Sequence, residues 1–102
     1  MKLVTLLFFS LISTLSLADG NPERGEGKSG VCAACHGADG IASIPGYPNL
    51  AGQNYEYLVA QLKAFKSGER KNGNATIMAP MTAGLSEQDI KDLAAFYSQM
   101  ER

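Results

Sequence analysis

The sequence predicts an all-α domain of three to four short helices. Two stretches, 54–66 and 87–100, repeat apolar residues at helical spacing. No stretch alternates apolar and polar residues for long enough to make a strand. The third observation is the pentapeptide Cys32-Ala33-Ala34-Cys35-His36, the attachment signature of a c-type haem. The helices are therefore expected to wrap around one covalently attached haem.

The chemistry of that pentapeptide requires its spacing. Each thiol adds across one haem vinyl group, and one turn of chain must bring both sulfurs to the porphyrin edge. The adjacent imidazole then reaches the iron. Two competing readings are weaker. A thioredoxin-like redox pair belongs to a βαβ setting, and no strand pattern is present. A structural zinc ion wants four ligands, and the chain offers two cysteines and one histidine before carboxylates are needed.

The chain begins Met1-Lys2, runs through apolar residues from Leu3 to Leu17 and reaches Ser16-Leu17-Ala18. A basic start, an apolar centre and a small-x-small exit read as a cleaved signal peptide, residues 1–18. The run, broken by Thr and Ser, is shorter than the ~20 residues that span a bilayer; the alternative is an uncleaved anchor. Cleavage leaves one domain, residues 19–102, with eight basic and ten acidic side chains. That balance lacks the basic footprint of a nucleic-acid binder. Both cysteines belong to one pair, so there is no disulfide framework, although a bare CxxC in an exported protein can oxidise. At about 80 residues a hydrophobic core alone is seldom sufficient. Haem supplies the missing core, and the apoprotein is expected to fold poorly.

In chain order, Asn21 suits a helix N-cap, Pro22 the first helical position and Glu23 the positive end of the helix dipole. A helix from Pro22 to Val31 is expected to deliver the chain to Cys32. Gly25, Gly27 and Gly30 are unfavourable there by up to ~1 kcal/mol each, which points to a very close neighbour. Residues 37–52, with Pro45 and Pro48, read as a structured loop. From Asn54 to Lys66, Leu58, Leu62 and Phe65 mark one helix face, and Ser67-Gly68 ends it. Residues 69–85 read as a second irregular segment containing Met78-Ala79-Pro80-Met81. Ser86-Glu87-Gln88-Asp89 then resembles a capping box opening a helix from Glu87 to about Met100, with Ile90, Leu93, Ala94 and Tyr97 on its apolar face.

His36 is the only histidine. A second imidazole cannot come from this chain, so the sixth iron ligand is a methionine, a weaker group, or nothing. A methionine raises the potential and suits electron transfer; an open position suits gas or peroxide chemistry. Met100 lies at the end of a helix and reads as packing. Met78 and Met81 lie where a ligand loop belongs.

Together these residues resemble the class I cytochromes c, in particular the small bacterial c-553 group and single domains of two-domain dihaem carriers. The likeness covers CAACHG, Pro48-Asn49-Leu50-Ala51-Gly52-Gln53, Met78-Ala79-Pro80-Met81, Leu85-Ser86-Glu87-Gln88-Asp89-Ile90 and Ala94-Ala95-Phe96-Tyr97. It implies the cytochrome c fold, with Met78 as the axial ligand opposite His36 and Met81 as second choice. Pro48 corresponds to the proline whose carbonyl accepts the imidazole N–H. It also implies crossed terminal helices, with Gly25 meeting Phe96 or Tyr97.

The function so implied is a periplasmic monohaem electron carrier without substrate chemistry of its own. It would be a monomer meeting redox partner proteins through transient contacts under ~1,200 Å², with no nucleic acid and no stable membrane insertion. The alternatives are a haem c subunit of a larger oxidoreductase, or a sensor or enzyme with an open sixth site. Lys63, Lys66, Arg70 and Lys71 read as a solvated face, with a docking patch for an acidic partner as the sharper alternative.

Overall fold

A computed structural model describes residues 19–102. The expected signal peptide, residues 1–18, lies outside the described residues. Five helices follow one another: α1 (Pro22–Lys28), α2 (Gly30–His36), α3 (Tyr55–Ser67), α4 (Ala75–Thr82) and α5 (Glu87–Ser98). There is no strand among the described residues. The all-α expectation holds, with five helices in place of three or four.

The extra helices arise at two places. The stretch expected as a single helix from Pro22 to Val31 breaks at Ser29, whose N–H and hydroxyl both donate to the Glu26 carbonyl. That contact closes α1 and lets α2 start afresh, so the whole CxxCH sequence lies on its own helix. The second is α4, which occupies part of the segment expected to be irregular. Pro80 lies inside it, and a proline there removes one backbone bond. The Thr82 hydroxyl lies 3.1 Å from both the Met78 and the Ala79 carbonyls and can donate its one proton to either, tightening the last turn. Ala75 and Thr82, each one turn from Met78 on one face, are buried.

The other ends follow their local chemistry. The Asn21 side chain accepts from the Arg24 N–H, and Asn54 caps α3 in the same way at Tyr57. Gly68 ends α3 with φ of 80°, a left-handed conformation that glycine adopts without strain. The Ser86–Asp89 capping box is complete, each side chain accepting from the other's backbone N–H at 3.0 and 2.9 Å.

Helix α1 crosses α5, while α3 packs on both α5 and α4. The core is small: Leu58, Leu93, Ala94 and Tyr97, with Leu62, Leu85, Phe96 and Met100 packed around it. Backbone meets side chain at Gly25, which is buried. A Cβ there would overlap the Asp92 carbonyl and press within 2.7 Å of the Phe96 Cβ. Of the two aromatics expected at this crossing, Phe96 makes the approach.

Asp92 fastens the same crossing from inside. Its carboxylate is fully buried and accepts from the Asn21 N–H at 2.8 Å, Lys28 at 2.8 Å, Gln88 at 2.9 Å and Arg24 at 3.1 Å. Burial works to raise this carboxyl, but the bonds from Arg24, Lys28, Asn21 and Gln88 outweigh it and hold it well below the usual carboxylate range.

Two tests follow. Gly25→Ala is expected to lower unfolding stability of the haem-loaded protein by about 1–3 kcal/mol through overpacking. Gly27→Ala, whose Cβ would meet nothing within 4 Å, should raise it by about 0.5–1 kcal/mol; denaturant midpoints compare the pair. Asp92→Asn should cost about 3 kcal/mol at pH 7, the low end for a broken buried pair because Arg24 and Lys28 reach solvent. A depressed carboxylate contributes fully above the ordinary value of about 4 and is lost as pH falls further. Acid unfolding of the Asn variant should therefore show a shallower pH dependence below about pH 4.

Candidate haem site

Helix α2 delivers Cys32, Cys35 and His36 to one wall of a cavity of about 600 Å³. The volume lies within the ~300–1,000 Å³ of cofactor sites. The loop after α2 returns beneath it because the Gly40 carbonyl accepts from both Leu50 N–H at 2.8 Å and Ala51 N–H at 3.0 Å. The Gly52 N–H then donates to the Tyr97 carbonyl at 2.9 Å, tying the loop to α5. This fold-back presents the Pro48 carbonyl to the histidine.

His36 is buried at the end of α2, with Nδ1 2.9 Å from the Pro48 oxygen. A carbonyl can only accept, so Nδ1 is the donor of this bond. The Tyr47 ring stands edge-on to the imidazole at 6.2 Å and 86°. These two contacts fix the ring and turn Nε2 away from the Pro48 carbonyl.

Cys32 and Cys35 are half-buried. Burial pushes the Cys32 thiol up. A thiol kept neutral in apolar surroundings is poorly prepared for redox exchange or zinc, both of which use the thiolate. Among the described residues no three His, Cys, Asp or Glu side chains gather in a metal-binding group.

Met78 and Met81 both line the cavity from α4; Met78 is half-buried and Met81 is 53% exposed. Met100 packs against the core instead. Thr82, which sequence reading passed over, holds the Met78 carbonyl; the signal was the Ala75, Met78, Thr82 spacing, obscured by small side chains and Pro80. The basic cluster divides. Lys63 pairs with Glu87 at 3.2 Å, Lys66 donates to the Leu85 carbonyl, and Arg70 stands on the cavity lining.

The cytochrome c family model matches residues 25–101. The chain belongs to the cytochrome c family. It is 52% identical over 82 residues to cytochrome c-554(548) of Halomonas halodenitrificans, covering 80% of this chain and 99% of that one. It is 39% identical over 105 residues to cytochrome c4 of Stutzerimonas stutzeri, covering 97% of this chain and 50% of that one. The crystal structure of reduced recombinant cytochrome c4 from Pseudomonas stutzeri superposes with a TM-score of 0.71 at 40% identity, covering 80% of this chain and 46% of that one. The chain thus spans about half the length of these cytochromes c4. The family is one of electron-transfer proteins carrying a covalently bound haem c, and this chain shares its fold.

The cavity suits that group. Val31, Tyr57, Ile77 and Met81 are large, apolar and at least 43% exposed, and all four line it. A flat apolar occupant would cover them together. The buried Tyr97 hydroxyl, also on the lining, has no hydrogen-bond partner within the protein, as expected of a polar group beside a missing neighbour. Among the described residues no helix is long and apolar enough to cross a membrane. The fit makes a simple prediction: loading with haem should raise the unfolding midpoint far above that of the protein in which Cys32 and Cys35 are both replaced by Ser. Thermal scans followed by far-ultraviolet circular dichroism read the difference.

Proposed function

We propose that residues 19–102 form a periplasmic monohaem electron carrier, released by cleavage after Ala18. Cys32 and Cys35 hold the haem by thioethers, and His36 and Met78 are the axial ligands. The supporting observation is that one apolar cavity is lined by two thiols, two thioethers and an imidazole whose Nδ1 is committed to Pro48. Bound haem supplies a one-electron iron couple.

Each residue then has a distinct task. The Pro48 carbonyl holds the His36 proton, orients the ring and raises its basicity. Met78, half-buried and backed by Thr82, is better placed for ligation than the more exposed Met81. Leu58, Leu62, Leu93 and Ala94 keep water from the interior wall. Retaining the same two ligands through oxidation and reduction limits rearrangement. The protein makes and breaks no substrate bond, and its partners are redox proteins met transiently as a monomer.

The visible spectra of the oxidised and reduced mature protein test the reading. Met78→Ala should abolish the far-red sulfur-to-iron band of the oxidised form, and Met81→Ala should keep it; the reverse pattern would exchange the two methionines. The ferrous wild type should resist carbon monoxide at neutral pH, and ready binding would favour an open-site sensor or enzyme. Mass spectrometry of the exported protein should find its first residue at Asp19.

A further inference from the structure

The chain has five asparagines, and four are held in settings that protect them. The side-chain oxygens of Asn21, Asn49 and Asn54 accept from the Arg24, Ala42 and Tyr57 N–H groups at 2.9, 2.8 and 2.9 Å. Pro22, Leu50 and Tyr55 follow them. Asn74 precedes Ala75, which is buried and whose N–H donates to the Asn72 carbonyl at 3.2 Å. Asn72 differs on every count. It is exposed and so is Gly73 after it. Among the described residues neither the Asn72 side-chain amide nor the Gly73 N–H makes a hydrogen bond. Gly73 has a φ of 59°, and a Cβ there would meet nothing within 4 Å.

Asparagine is chemically labile where the following amide nitrogen can reach its side-chain carbonyl. A glycine in that place puts no side chain in the way and turns freely about its backbone. We propose that Asn72 is a site of spontaneous deamidation, and that the carboxylate formed there, on the cavity wall, lowers the potential of the iron. The second half rests on the haem reading of Cys32, Cys35 and His36 given above.

The step needs only water. The Gly73 nitrogen bonds to Asn72 Cγ and gives up its proton, Nδ2 leaves as ammonia, and a five-membered succinimide closes. Water then opens the ring, so one water is consumed for each ammonia released. Opening at Cγ gives aspartate. Opening at the α-carbonyl gives isoaspartate, in which the main chain runs through Cβ and is one methylene longer. The carbonyl that accepts from Ala75 then belongs to the free carboxylate, just ahead of the helix that carries Met78. Either product places a negative charge on a cavity lining that otherwise carries no carboxylate. Such a charge favours the more positive, oxidised iron. Because Asn72 is exposed, the shift is small and salt screens it.

The experiment ages the haem-loaded mature protein at mildly alkaline pH beside Asn72→Gln, whose longer side chain closes the corresponding six-membered ring far more slowly. Peptide mapping by mass spectrometry should find NH2 replaced by OH in the wild type, with fragmentation assigning it to Asn72 and not to Asn74. Enzymatic methylation of isoaspartate should label the aged wild type only. The midpoint potential of the aged wild type should fall below that of the fresh protein, and Asn72→Asp should show the same fall without ageing. Added salt should narrow both differences, while aged and fresh Asn72→Gln should coincide. An unmodified Asn72, or conversion as fast at Asn74, overturns the site. Conversion at Asn72 with an unchanged potential overturns its effect on the iron. A fresh wild type without covalent haem would overturn the haem reading instead, and the peptide map would still decide the site.

Discussion

The close crossing of α1 over α5 is the constraint on which the remaining structure depends. Gly25 removes the side chain that would keep the helices apart, and Asp92 joins the start of α1, its last residue Lys28 and the neighbouring Gln88 to one buried carboxylate. Helix α2 begins two residues after α1 ends, so this crossing sets where Cys32, Cys35 and His36 stand. The opposite face of α5 supplies Leu93, Ala94 and Tyr97 to the cavity wall. One contact therefore positions the CxxCH residues and the apolar surface behind them. A chain of this size has too little core to tolerate either being displaced.

The site divides its labour between backbone and side chains. Backbone groups set the histidine: a loop closed by Gly40 and anchored at the Tyr97 carbonyl presents Pro48 to Nδ1. Side chains set the cavity's character, apolar across α3 and α5 and amide-rich towards Asn72 and Asn74, with Arg70 near that end in sequence. Large apolar residues remain exposed around the cavity, and a buried hydroxyl lies on it without a protein partner. These features make a wall shaped for another group rather than a finished core.

Much of this was legible beforehand. The CxxCH spacing identifies haem chemistry because two thioethers and an adjacent imidazole need one helical turn. The α3 and α5 periods, Asn54 and Ser86 caps and Gly68 stop placed both helices within a residue or two. Helix α4 was missed because Pro80 and the surrounding Asn and Gly residues argue locally for a loop, while the helix is supported by packing against α3, which the linear sequence does not display. Asp92 was equally hidden, since an acidic residue in an amphipathic helix ordinarily faces water.

The sequence by itself determined the inventory: two thiols and an imidazole in one CxxCH stretch, two methionines flanking Pro80, and an all-helical pattern. These depend on residue type and short spacing, which a linear reading preserves. Only the tertiary structure decided which carboxylate is buried and which of four basic residues reaches the cavity. The buried carboxylate joins residues 64 to 71 positions away, and separations of that kind are resolved by how helices cross, not by any local pattern along the chain.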